Sequence, residues 1–144
     1  MESFIGLELE QSKSKISLHL DNYIRETIEE YQSRFTRTLK PRLTLMQQGN
    51  VLDSSDSPAT PDPKKQSLYR TMVAKLQFAA TWVRFDISFA VGRKARFCAS
   101  AGPSHWAALH HLMEYLAKYP SFRLDYPKYP TTVIGLDGYC NSEE

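Results

Sequence analysis

A chain of 144 residues, 42% hydrophobic and 24% charged, is one domain's worth of sequence and long enough to bury a sizeable core. Its formal net charge of +2 is too small to argue for nucleic acid by itself, so any polyanion-binding signal must come from local clustering. Cys98 and Cys140 lack metal-type spacing, Met1-Glu2-Ser3 opens no basic and apolar leader, and no apolar run reaches the roughly 20 residues of a membrane helix; the expectation is a soluble intracellular chain, cytoplasmic or nuclear, with free thiols and no membrane contact.

In chain order, residues 4–20 read as a hairpin. Leu7 and Leu9 alternate with Glu8 and Glu10, the period of a half-buried strand, and Gly6 inside that run implies a bulge or a close backbone approach. Residues 12–15 form a polar turn, and Ile16 to Leu20 alternate again. Asp21 reads as the N-cap of a helix over 21–35 with Ile24, Ile28, Tyr31 and Phe35 on one stripe.

Residues 36–63, rich in Pro, Ser and Asp, read as an extended, partly disordered connection. A helix over 64–83 carries Leu68, Met72, Leu76, Ala79 and Ala80 on its stripe, with Lys65, Arg70 and Lys75 off it. A third helix, capped by Asp86 and carrying Ile87, Ala90, Val91 and Phe97 inward, runs to the Gly102-Pro103 stop. Ser104 reads as the cap of a fourth, with Trp106, Leu109, Met113 and Leu116 inward and Pro120 closing it. Strand-like stretches follow at 122–126 and 131–137. The fold class expected is α+β: an N-terminal β-hairpin, a middle of about four helices, and two short C-terminal strands.

No Gly-rich phosphate loop, HExxH or paired CxxC occurs. His105, His110 and His111 share one helix without completing a ligand set, and read as surface or cap histidines. Asp125 and Asp137, on or beside the C-terminal strands, are two carboxylates that could hold a divalent metal, a pattern that solvent-facing strand acids also give. Arg34, Arg37, Lys40 and Arg42, with no acid between Tyr31 and Leu52, and the trio Arg93, Lys94 and Arg96, are the candidate phosphate contacts. Tyr31, Phe35 and Tyr69 bring rings near these cations, at a spacing that equally suits a core.

Several segments then resemble one family in order. Phe4-Ile5-Gly6-Leu7-Glu8-Leu9 resembles the F-L-G-I-E-I stretch of copia-type retrotransposon reverse transcriptases, and Ile16-Ser17-Leu18 with Tyr23-Ile24 resembles their I-x-L-S-Q-x-x-Y-I. Tyr69-Arg70-Thr71-Met72-Val73 is similar to Y-R-S-L-V-G. The stretch from Phe78 to Val91 is similar to Y-L-A-T-x-T-R-P-D-I-A-F-A-V, followed by Arg96-Phe97 for S-R-F. Pro103, His105, Trp106 and Ala108 resemble P-x-x-x-H-W-x-A; Tyr115-Leu116 and Leu124-Asp125-Tyr126 resemble R-Y-L-K-G-T and G-L-x-Y.

The resemblance implies the C-terminal part of such an enzyme. A primer-grip hairpin and first thumb helix fall over 1–35, a flexible connection over 36–63, and a helical connection-like region running into the start of RNase H over 64–144. It implies nucleic-acid contact through Phe4, Gly6, Glu8, Arg34, Arg37, Lys40 and Arg42, with primer-template as partner. It also makes Asp137 the candidate for the first RNase H aspartate. The chain departs from the family at Phe85 (proline there), Glu114 (arginine), Lys75 (near a glycine) and Tyr119-Pro120 (Gly-Thr). The second RNase H Asp and the Trp fall at Tyr139 and Cys140. The Tyr-x-Asp-Asp pair that holds the Mg²⁺ of the intact family enzyme is absent from this sequence. The expectation is thus a truncated polyprotein fragment that binds nucleic acid at most, with no cofactor or metal of its own. The alternatives are an incomplete piece of an active reverse transcriptase/RNase H and a domesticated interaction protein, and apolar surface left by missing segments would favour a homodimer.

Overall fold

The alternating N-terminal run does fold as strands, but not as one. The computed structural model describes residues 2–4, 6–36, 38–49 and 51–128, residues 2–4 by their backbone alone. Strand β1 (Glu2–Phe4) and strand β2 (Leu7–Gln11) are separate, because Gly6 between them has φ +81° and turns the chain back. A Cβ there would stand 4.0 Å from the Tyr23 ring. Strand β3 (Lys15–His19) completes a meander, with Leu9 opposite Leu18. Strand β4 (Arg123–Pro127) pairs antiparallel with β3, so the sheet order is β1-β2-β3-β4. Leu124 lies opposite Leu18, and Asp125 opposite Ser17. The second expected C-terminal strand, 131–137, lies outside the described residues.

Helix α1 (Asp21–Phe35) follows β3 directly, then α2 (Pro63–Trp82), a 3₁₀ turn (Phe85–Ile87), α3 (Ser88–Ala95) and α4 (Pro103–Lys118). The architecture is α+β. The stripes expected from helical spacing point inward. Ile24 and Tyr31 of α1, Met72, Leu76, Ala79 and Ala80 of α2, Ala90 and Val91 of α3, and Leu109, Met113 and Leu116 of α4 are all buried in one cluster. Each large side chain among them contributes about 1.5–3 kcal/mol by leaving water.

The helix starts differ from expectation. Asp21 is the first residue of α1 and makes no cap bond; the Glu8 carboxylate, reaching across from β2, accepts from the Asn22 backbone N–H at 2.9 Å. Asp86 caps nothing. Its carboxylate is held by Arg84 in two bonds of 2.9 and 2.8 Å, and by the Tyr115 hydroxyl at 3.1 Å. Arg84, 1% exposed, gives its other nitrogen to the Tyr119 carbonyl at 2.7 Å and lies over the Phe122 ring, so this one side chain ties the α2–α3 corner to the end of α4. The third helix ends at Ala95, before the Gly102-Pro103 pair, which instead starts α4. Ser104 is not the cap: its N–H and hydroxyl both donate to Asp56, at 2.6 and 2.8 Å.

Between α1 and α2 the described residues form no regular element, yet they follow α4 in the opposite direction. Arg42 meets Glu114, Thr44 meets His111, Asp53 meets His105 and Asp56 meets Ser104. Leu39 and Leu52 are buried along this path.

Candidate nucleic-acid interface

The residues carried by the family resemblance fall at two separate places. At the N-terminal end of α1 lies the β1–β2 hairpin, with Phe4 in β1, Gly6 in the turn and Glu8 in β2. Glu8 is 7% exposed, and both carboxylate oxygens are committed to Asn22, at its backbone N–H and its side-chain amide. It sets the angle between hairpin and helix and presents no free charge to a ligand. Beside it His19, 2% exposed, faces Glu10 at 3.3 Å, Asp21 at 3.5 Å and Glu8 at 3.9 Å. Hydrogen bonding from Arg123 chiefly holds the Glu10 carboxyl below its ordinary pKa. A histidine in alternation on a short strand gave no sequence signal for this cluster; only the pairing of β2 with β3 creates it.

The basic stretch lies at the other end of α1, about 20 Å away along a helix of 15 residues. It is less free than its sequence suggests. Arg34 pairs with Glu30 one turn earlier, at 2.9 Å, and Lys75 of α2 also reaches Glu30. Arg42 pairs with Glu114, which accepts the Lys40 backbone N–H as well. Burial pushes the Glu114 carboxyl up, but the Arg42 and Lys40 hydrogen bonds outweigh it and the net direction is down. Glu114 therefore holds the basic stretch against α4, with the Lys40 side chain left exposed. Arg37 lies outside the described residues.

The remaining candidates disperse. Arg93 and Arg96 line the surface of α3 and its end, but Lys94 is 0% exposed and donates to the Ala90 carbonyl at 3.1 Å. Asp125 is committed to Lys15 at 2.6 Å and to the Ser17 hydroxyl at 2.5 Å, and hydrogen bonding from Lys15 chiefly lowers its pKa. Asp137 lies outside the described residues. Among those described, no group of three or more His, Cys, Asp or Glu side chains is arranged to hold a metal ion. Two of the three helix histidines are buried: His105 accepts from the Gly102 N–H at 2.8 Å and stacks on Phe97, and His111 meets Thr44. No helix of the described residues is long and apolar enough to cross a membrane.

An aromatic furrow emerges instead where α1, α2 and α4 meet. Tyr31, Phe35, Leu68 and Trp106 line a groove of about 410 Å³, with Lys65 at its rim. Phe35 meets Trp106 edge-on at 5.3 Å, and Tyr69 meets it at 5.1 Å from within the core. The groove continues into a depression of about 360 Å³ between Arg34 and Lys64. Sequence reading assigned Phe35 and Trp106 to the core stripes. Both are half-buried, a placement that helical period alone does not distinguish.

Comparison with known proteins places this geometry in context. The chain is 29% identical over 140 residues to the retrovirus-related Pol polyprotein from transposon RE2 of Arabidopsis thaliana, a match covering 97% of this chain and 9% of that protein. It is 28% identical over 140 residues to the corresponding polyprotein from transposon RE1, again over 97% of this chain and 9% of that one. The chain thus spans about a tenth of the length of these relatives and is similar to one segment of a retrotransposon Pol polyprotein. No family model matches the chain, and no solved structure does.

Proposed function

We propose that this chain is a retrotransposon-derived segment of copia-type reverse-transcriptase character, which contacts primer-template nucleic acid and performs no polymerisation itself. The observation that carries the reading is the match over 140 residues to two Pol polyproteins, in a sequence that contains no Tyr-x-Asp-Asp. A role in positioning fits what the residues offer. The Gly6 turn, fixed to α1 by Glu8, gives a rigid hairpin edge, and the exposed Lys40 with the partly solvated Arg42 gives cations for phosphate oxygens. Positioning needs a stiff scaffold more than a reactive group, and both ends of α1 have one.

Purified chain is expected to show no primer extension with template, nucleotides and Mg²⁺; measurable extension overturns the reading. It is expected to bind a primer-template duplex with an affinity that falls as salt rises. Lys40→Glu is expected to weaken that binding roughly three- to tenfold at low salt, across all sequences alike.

One observation favours a second reading, that of an interaction protein. Trp82, Phe85 and Phe89 are 46%, 54% and 66% exposed around the α2–α3 corner, an unusual set of rings to leave in water. Absent or salt-insensitive duplex binding, together with a concentration-dependent dimer in sedimentation that Phe89→Ser abolishes, selects it.

A further inference from the structure

The aromatic furrow sits where a separate set of cations gathers. Lys64 and Lys65 are exposed and have no ion-pair partner among the described residues; Arg34, across the groove, is half-exposed beside Glu30. Both lysines stand in the first turn of α2, which contains no acid. That is the end of a helix where the backbone dipole is positive and cations are electrostatically disfavoured. The only carboxylate at that turn, Asp62, is the N-cap and accepts from the Lys64 N–H at 2.9 Å. The chain therefore concentrates positive potential at one end of a groove whose walls are rings. Such a pairing of clustered cations with an open aromatic surface suits an anion with flat apolar parts.

We propose that this furrow seats an unpaired stretch of nucleic acid, one or two bases lying against Phe35 and Trp106 and the adjoining phosphates meeting Lys64, Lys65 and Arg34. This rests on the nucleic-acid reading above but assigns a different site, ligand form and set of residues. The size suits it: about 410 Å³ lies in the range of pockets that enclose small flat ligands, and the adjoining 360 Å³ depression lies on the Arg34 and Lys64 side, where the backbone would run. A duplex keeps its bases stacked and cannot offer their faces, so the furrow discriminates single strands from double.

The chain contains two tryptophans, which makes the test direct. Trp82→Phe, at an exposed position away from the furrow, leaves Trp106 as the sole indole reporter. Titration of this variant with a ~12-nucleotide oligo(dT) is expected to quench Trp106 emission saturably. Log affinity is expected to fall with log salt at a slope near −2, for about three phosphates on a single strand. Adding Lys64→Glu and Lys65→Glu, both at exposed positions, is expected to weaken the quench at least about tenfold while leaving the thermal transition in place. No quench, a quench unaffected by the two charge reversals, or equal quenching by polyglutamate each overturns the proposal, the last pointing to an acidic protein partner. Salt-dependent duplex binding that Lys40→Glu weakens, with no Trp106 response to single strands, overturns the furrow site and leaves the broader reading intact. Loss of binding to both forms overturns both.

Discussion

Two buried cations, Arg84 and Lys94, show how burying a positive charge can have opposite consequences. Arg84 is buried but satisfied, with three of its donor contacts made to Asp86 and the Tyr119 carbonyl. Burial raises the Asp86 pKa, yet hydrogen bonds from Arg84 and Tyr115 outweigh it and the net direction is down. Its contribution is therefore present above the ordinary carboxylate value of 3.8 and is lost as pH falls through the lower folded value. Asp86→Ala strands the guanidinium and is expected to cost about 3–5 kcal/mol by urea denaturation at pH 7. Lys94 is buried without a counter-charge. Burial, aided by Arg93, lowers its pKa from 10.5 to about 8. Between those values the unfolded chain binds the proton and the folded chain does not, so stability rises with pH through that window, by a total of about 3 kcal/mol. Below pH 8 both states are charged and the full cost of burial remains. Tyr69, whose burial raises its own pKa, opposes the trend above about pH 10. Lys94→Met keeps the stem in place and removes the charge. It is expected to be more stable than wild type by about 1–3 kcal/mol at pH 7. The difference should shrink between pH 8 and 10 in urea midpoints read at each pH, and a constant difference would refute the assignment.

At the scale of elements, two of the helices, α1 and α4, receive a carboxylate at their start from a distant segment, whereas α2 is capped locally by Asp62. The α1 cap comes from Glu8 on β2, and the α4 cap comes from Asp56 in the connection. This explains what the sequence made legible. The apolar stripes on all four helices are local, repeating every three or four residues, and each can be read without knowing the fold. The caps read from Asp21, Asp86 and Ser104 failed because the nearest polar residue was not the partner that tertiary packing delivered. Glu8 carried the signature of a solvent-facing strand residue, and nothing local distinguished it from Glu10. The candidate site divides the same way: clustered Arg and Lys were visible, while their capture by Glu30 and Glu114, and the furrow between α1, α2 and α4, needed three dimensions. Glu8→Ala removes both bonds to Asn22 and is expected to cost about 1–2 kcal/mol, with faster amide exchange confined at first to residues 21–24. Gly102 is fixed by a neighbour of the same kind, since a Cβ there would collide with the Asp56 carbonyl. Gly102→Ala has to push the connection off the start of α4 and is expected to cost about 1–3 kcal/mol, with protease cleavage within 38–62 increasing as the stability falls.

For the whole molecule the decisive feature is that β1–β3 near the start of the described residues and β4 near their end share one sheet. Ser17 and Asp125 are hydrogen-bonded across 108 positions of sequence, and Leu18 packs beside Leu124. The helices between them make mostly nearer contacts: α2 packs on α3 across a short 3₁₀ turn, and Leu109 of α4 lies in the same buried cluster. Closing a loop of this length costs chain entropy that grows as about (3/2)RT ln n, and that cost falls on the folding path before the β3–β4 ladder returns any stability. The α2–α3–α4 part of the helical core has the smaller delay. It should form first and bring the strand ends close, so that sheet closure follows the main barrier. This orders the effects of two substitutions of similar chemistry. Leu109→Ala, at a fully buried position, is expected to slow refolding, with about half or more of its destabilisation appearing in the folding rate. Leu124→Ala, at the partly buried β4 position, is expected to leave refolding nearly unchanged and to speed unfolding instead. Stopped-flow chevrons of the two variants decide it. If Leu124→Ala slows refolding in proportion to its loss of stability, the sheet closes before the barrier and the helical core is not the nucleus.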